Sequence, residues 1–383
     1  MAIKYPVVRA LAYLQLIATC LSSAISQLSE TSQSHGPMNP RHATPGCSPK
    51  VFIINAFSLE AESFYGVPEL DLLAVNYTIA GLSPLYPEAH CSADGQVCQV
   101  TTGESEINAA STISALIYSR VFNLKNTYFL IAGIAGVNPA QATTGSVTFA
   151  RFEFDVRDIG LNFSTGYIAY GTKKPLQYPQ HIYGTEVFEV NDNLRHKAMQ
   201  LASQASLNDT KAAVAFRKQY DASTPGSQPP ALVACDGVTS DNYYSGPTIA
   251  SAYDAYTTLI TNGSAVYCAT AQEDSAILGV LLRGAKAGLV DFSRIIVMRT
   301  AANFDRAPAG ANEYQFFFYQ SSGGFASSVA NLHIAGVPII QGIVDGWATE
   351  FEQGIAASNY IGDIFGTLGG TPDFGPYPYF GQG

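Results

Sequence analysis

Apolar runs of strand length alternate with stretches of helical period along most of this 383-residue chain. The compact apolar run "KVFIINAF" at 50–57 opens the pattern. After Glu106 come the helical "NAASTISALIYSRVF", the apolar "YFLIAGIAG" and "SVTFARFEF", and the amphipathic "DNLRHKAMQLASQA". The series closes with "ALVACDGV", "SAILGVLLRGAKAGL" and "RIIVMRTAA". Strands alternating with helices predict an α/β fold, a single domain over 49–383 with a mixed, largely parallel central sheet flanked by helices. In such sheets ligands sit beyond the carboxyl ends of the strands. The segments that matter are therefore those where a strand run ends in small or polar residues: "INAFSLEAE", "TTGESEINAA", "IAGIAGVNP", "DGVTSDNYYSG", "TAQEDSAI" and "RTAANFDR".

The two ends break this pattern. Lys4 and Arg9 precede an apolar run from Ala10 to Leu21, with small residues near Ala24, which reads as a signal peptide over 1–24. That run is short of the ~20 residues a spanning helix needs. Residues 25–48 are rich in Ser, Pro, Thr and His without period and read as a flexible leader. Beyond them no stretch of 18 consecutive apolar residues occurs, so no membrane span is expected. The final "GGTPDFGPYPYFGQG" is expected to lie extended against the domain.

Sequons at Asn76, Asn162, Asn208 and Asn262 agree with secretion, to the medium or the cell surface. In an oxidising compartment the cysteines after Cys20 should pair. Cys91 with Cys98, closing a short loop, is the first expected disulfide and Cys235 with Cys268 the second, which leaves Cys47 over.

Composition narrows the chemistry. A chain that is 47% hydrophobic and 13% charged has a globular make-up. With 30 acidic against 20 basic residues its net charge is -10, which offers no basic face to a nucleic acid. His90, His181, His196 and His333 stand apart, so no metal or organic cofactor is expected. No G-x-S-x-G elbow, P-loop or G-x-G-x-x-G occurs, which removes the usual marks of serine hydrolases, kinases and dinucleotide enzymes.

Three of the segments, in order, resemble the nucleoside phosphorylase and nucleosidase superfamily. "AGVNP" followed by Gly145 opening "GSVTF" is similar to its glycine turn and next strand, with Ser146 where Asp is usual. "TAQEDSAILG" resembles its M-E-[AG] helix start, with Gln272 in place of Met, and "MRTAANFDR" looks like the strand end that carries the base-recognising Asp or Asn. Over residues 50–360 the chain resembles the purine nucleoside permease family, which shares that fold.

The resemblance implies cleavage of the N-glycosidic bond of a purine nucleoside. Glu273 matches the carboxylate that holds the ribose hydroxyls, and also reads as a plain helix-start Glu. Asn303 matches the residue that meets the base as it leaves, or else caps a turn. Tyr243, with Asp241 before it, falls where an aromatic stacks on the purine, or is a core residue with a wet hydroxyl. Glu60 aligns with the glutamate that activates water, or is an exposed Glu beside Glu62. Thr102 and Gly103 precede a helix N-terminus that can hold an anion, and Gly133 lets the backbone approach a ligand. Ile131 and Ile134 stand where phosphorylases place Arg and Ser, and Glu104 and Glu106 repel an anion. Water is therefore the expected nucleophile, with phosphate kept as a co-substrate to test. The alternative is a nucleoside-binding protein that assists uptake without chemistry, and a homo-oligomer stays open.

Overall fold

A computed structural model describes residues 47–156, 160–163, 166–169, 172–179, 182–372 and 374. The signal peptide, the leader before Cys47 and the last residues from 375 lie outside the described residues, as does His181. β1 (Val51–Asn55) is the first apolar run of the pattern, and all five of its residues are buried. β2 (Val75–Thr78) and β3 (Glu88–Cys91) form an antiparallel edge on β4 (Val97–Thr101). β4 and the long β5 (Tyr128–Val137) flank β1, both in parallel. Such strands are covered on both faces, which is why they read as continuous apolar runs without alternation.

The other strands build outward from β5. β6 (Val147–Ala150) leads almost directly into β7 (Phe152–Asp155). A separate hairpin, β8 (Gly160–Phe163) with β9 (Gly166–Ala169), follows. β10 (Val187–Glu189) lies antiparallel on β7. β11 (Leu232–Ala234) runs parallel to β6, and β12 (Asp236–Thr239) parallel to β7 and to β13 (Tyr267–Ala271). β14 (Ile295–Phe304) pairs in parallel with nearly the whole of β5 and antiparallel with β6, and β15 (Gly362–Asp363) borders β10. The sheet is mixed, and because β13 also touches β5, the pairings β5–β14–β6, β6 into β7, β7–β12–β13 and back to β5 form a closed circuit.

Alternate residues of β1 enter two different cores. Phe52 and Ile54 pack with α2 (Ser105–Tyr118) and α6 (Asp274–Lys286) through Ile113, Leu116, Leu278 and Leu281. Val51 and Ile53 pack with α1 (Ser58–Tyr65), α3 (Asp192–Ala202) and α8 (Phe325–Asp345) through Phe64, Leu194, Leu332 and Ile339. The remaining helices, α4 (Lys211–Arg217), α5 (Pro247–Ile260) and α7 (Glu313–Tyr319), surround the β12–β14 end. Every helix or strand read from the pattern is present. α8 is the longest of the elements the pattern misses, because Gly336, Pro338 and Gly342 break its apolar run. Among the described residues it is the one helix long and apolar enough to cross a membrane. It packs as a core helix, with Leu332, Ala335, Ile339 and Ile340 fully buried.

Both expected disulfides are present, Cys91–Cys98 between directly opposed residues of β3 and β4, and Cys235–Cys268 between the start of β12 and β13. Cys47 keeps a free thiol that donates to the Gly95 carbonyl. Asn76, Asn208 and Asn262 are exposed; Asn162 lies on β8, its side chain outside the described residues. The bridges span 7 and 33 residues, and loop-closure entropy assigns about 2–3 kcal/mol to the shorter and about 3–4 to the longer. Urea melts of C235S/C268S should therefore show the larger loss of stability, with C91S/C98S the smaller; the reverse order would contradict this assignment.

Candidate functional site

The carboxyl ends of β1, β4, β5, β12, β13 and β14 converge on one cavity of about 280 Å³. After β1 come Ala56, Phe57 and Glu60; after β4, Glu104; at the end of β5, Ile134 to Gly136. β12 is followed by Asn242, Tyr243 and Tyr244, β13 ends in Thr270 to Glu273, and β14 contributes Arg299 and Asn303. An irregularity between Ala301 and Asn303 inserts an extra residue into β14 just before Asn303, a bulge of the kind that re-aims a side chain.

Glu60 is not the exposed helix-start residue of the plain reading. It is 1% exposed, on the first turn of α1, and accepts hydrogen bonds from the Ala56 N–H at 2.6 Å and the Ile134 N–H at 2.7 Å. Burial pushes its pKa up to about 7, against the opposing pull of Arg299, with the Glu273 charge adding to the rise. Glu273 caps α6 by backbone position only; its carboxylate turns into the site. Its Oε1 accepts from the Ser105 N–H at 3.0 Å and its Oε2 from Arg299 Nη2 at 3.0 Å.

Arg299 is the residue the sequence reading overlooked. The missing cation inferred from Ile131 is supplied from β14 instead: Ile131 is core, and Arg299 reaches the same cavity 4% exposed. Its Nε donates to Asp274 at 3.0 Å and its Nη1 to the Ile134 carbonyl at 3.0 Å. Its Nη2 is shared between Glu273 and Asp274. Beneath this group Glu153 is fully buried, and neither of its carboxylate oxygens has a hydrogen-bond partner. Burial and the nearby Asp274 push its pKa well above the ordinary value.

At the opposite wall Asn303 Nδ2 donates to the Tyr243 hydroxyl at 2.8 Å and to the Phe304 carbonyl at 3.2 Å. Tyr243 is 53% exposed and packs its ring on Phe317 at 5.1 Å, so it is a rim residue and not a core one. Gln272 lines the cavity and donates to the Asp241 carbonyl. Asp305, beside Asn303, is buried and held by Arg306 and the Tyr267 hydroxyl, away from the lining.

Four expected contacts fall elsewhere. Thr102 is fully buried and its hydroxyl bonds to backbone carbonyls, so it does not line the cavity. Gly103 serves the turn before α2, at φ 82°, and it is Glu104 after it that lines the site. Asp241 points away from the cavity, where its Oδ1 accepts from the Glu106 N–H at 3.0 Å. Gly133 makes room for protein: a methyl there would collide with Arg299 Nη1 and stand 2.8 Å from Glu60 Oε1. The glycine turn at Gly145 is likewise remote from the lining, its N–H bonded to the Ala301 carbonyl. Among the described residues no group of three His, Cys, Asp or Glu is placed to hold a metal ion.

The purine nucleoside permease family model matches residues 48–356. A purine nucleoside permease of Candida albicans is 48% identical over 344 residues, 85% of this chain and 83% of that protein. A probable purine nucleoside permease of Schizosaccharomyces pombe is 38% identical over 318 residues, 78% of this chain and 90% of its own length. Among solved structures, a methylthioadenosine/S-adenosylhomocysteine nucleosidase from Neisseria meningitidis aligns at 14% identity and a TM-score of 0.46, covering 76% of this chain and 98% of that one. Futalosine hydrolase of Helicobacter pylori aligns at 11% identity and a TM-score of 0.47, covering 78% and 97%.

Gly133→Ala tests the packing under the site. Overpacking of this kind costs about 1–3 kcal/mol. The variant should melt at lower temperature than wild type, and an unchanged melting curve would mean that Arg299 and Glu60 do not press on that strand.

Proposed function

The chain belongs to the purine nucleoside permease family, and on that premise we propose that it is a secreted protein that hydrolyses the N-glycosidic bond of purine nucleosides. The observation that carries this reading is Glu60, a buried carboxylate with a pKa of about 7, on the same small cavity as Glu273 and Arg299. A general base works best when its pKa lies near the working pH. Glu60 takes the proton of a water molecule as that water attacks the anomeric carbon. Glu273, whose two oxygens are fixed by Ser105 and Arg299, has lone pairs left for the ribose hydroxyls and orients the sugar.

The leaving base gains electron density as the bond breaks, so a hydrogen bond to it strengthens in the transition state. Asn303 acts here through Tyr243. Its amide nitrogen donates to the hydroxyl, which leaves the hydroxyl's own proton free to donate to the base.

Water is favoured over phosphate by charge. Glu60, Glu104 and Glu273 line the cavity, and the one cation among its described lining residues is already bonded to two carboxylates. The α2 N-terminus, which could bind an anion, is filled by the protein itself, since the Ser105 and Glu106 N–H groups bond to Glu273 and Asp241. The relatives' names favour a second reading, a nucleoside-binding protein that assists uptake without chemistry.

Incubating purified protein with inosine, guanosine and adenosine, with and without phosphate, separates these readings. Free base should appear at the same rate in both buffers; base only with phosphate would overturn the hydrolytic step, and none at all would leave the binding reading. Glu60→Gln should lower kcat by about 10²–10⁴-fold, the usual range for a lost general base. The base works in its ionised form, so the wild-type rate should rise with pH, reach half its plateau near 7 and lose that limb in the variant.

A further inference from the structure

Glu104 sits at the N-cap of α2, at the rim of the cavity, and its side chain has no hydrogen-bond or ion-pair partner among the described residues. It differs in this from Glu60 and Glu273, whose oxygens are all engaged. Among the described lining residues no free positive charge offsets it. Arg299 is spent on Glu273 and Asp274. A larger neighbouring cavity of about 1060 Å³ shares Asn242 and Tyr244 with the first and is lined by Glu106, Asp155, Asp241 and Glu313, with no Lys or Arg among its described lining residues. Partial burial, and after it the Glu273 charge, raise the Glu104 pKa.

We infer that the site discriminates against phosphorylated nucleosides, and that Glu104 is the residue that determines this specificity. Its carboxylate repels a nucleotide's phosphate and accepts a hydrogen bond from a hydroxyl of the uncharged sugar. The inference rests on the reading that this cavity holds a nucleoside, and it stands whether or not the bond is then cleaved. A carboxylate and a phosphate dianion a few ångströms apart at a partly exposed site change affinity by at least about tenfold. Rejecting the wrong ligand by like charge is an ordinary route to specificity.

The test compares inosine with inosine 5′-monophosphate on wild type, Glu104→Gln and Glu104→Asp, by calorimetric Kd and, where base is released, by kcat/KM. Wild type should prefer the nucleoside strongly at low salt. Glu104→Gln should narrow the ratio about tenfold, mostly by tighter binding of the monophosphate. Glu104→Asp should keep the wild-type ratio, and added salt should shrink it in wild type, which a purely structural role for Glu104 would not produce. Equal affinity for the two ligands in wild type, a ratio unmoved by Glu104→Gln, or no affinity for inosine at all would each overturn the inference. Failure of base release with the affinity ratio intact would instead remove only the hydrolytic reading.

Discussion

The site depends on one buried guanidinium. Arg299 holds Asp274 and Glu273 on one side and the Ile134 carbonyl on the other, and its charge opposes the rise in the Glu60 pKa. Without it Glu60, Glu273 and Asp274 would share a nearly dry space with no counter-charge. A buried ion pair of this kind is poor evidence of stability, since desolvation takes back most of the Coulombic gain. What it does supply is fixed geometry. Glu273 is held from two directions, by Arg299 on β14 and by the Ser105 N–H on α2, so the carboxylate bridges two elements that the chain joins only at a distance. Ser105 adopts φ 74° to present that N–H, a backbone conformation that non-glycine residues seldom take without a reason.

The same arrangement removes the two features that would invite an anion. Helix N-termini attract anions because their first N–H groups lack partners. In α2 the first two, of Ser105 and Glu106, are met by Glu273 and Asp241, which follow β13 and β12. The cation is satisfied by Glu273 and Asp274 in turn. The pair Glu273 and Asp274 therefore meets the guanidinium and shares the helix terminus with Asp241, on the stretch that joins β13 to α6.

Most of the fold was legible because its signal is local. A compact apolar run such as Val51–Asn55 has the length of a strand covered on both faces, and it is buried at all five positions, while the helices of the pattern carry their period openly. α8 was hidden because glycines and Pro338 interrupt a helix that tertiary packing holds together. In the site, the residues following β1 and β13 could be found since strand ends mark ligand positions in α/β sheets. Arg299 could not be found that way. It lies in mid-strand within "IIVMRTAANF", where an isolated charge reads as an interruption, and only the register of β14 on β5 sets it opposite Gly133. Gly133 was a clue of the right kind assigned to the wrong neighbour, because a sequence shows that something must come close to a glycine but not what.

Glu60 bears on whether this pocket only binds. A cavity that held a neutral nucleoside could do so with amides and hydroxyls, and a carboxylate raised from 4.5 to about 7 is an expensive substitute. The folded chain retains that proton over a range where the unfolded chain has lost it. The contribution of Glu60 to stability is therefore greatest below about 4.5 and is lost as pH rises through about 7, when Glu60 ionises in place. Two backbone N–H groups aimed at its oxygens show that the fold accommodates the ionised form as well as the neutral one. A carboxylate perturbed by burial and set on a cavity with two further charged groups, Glu273 and Arg299, is the arrangement in which functional sites concentrate.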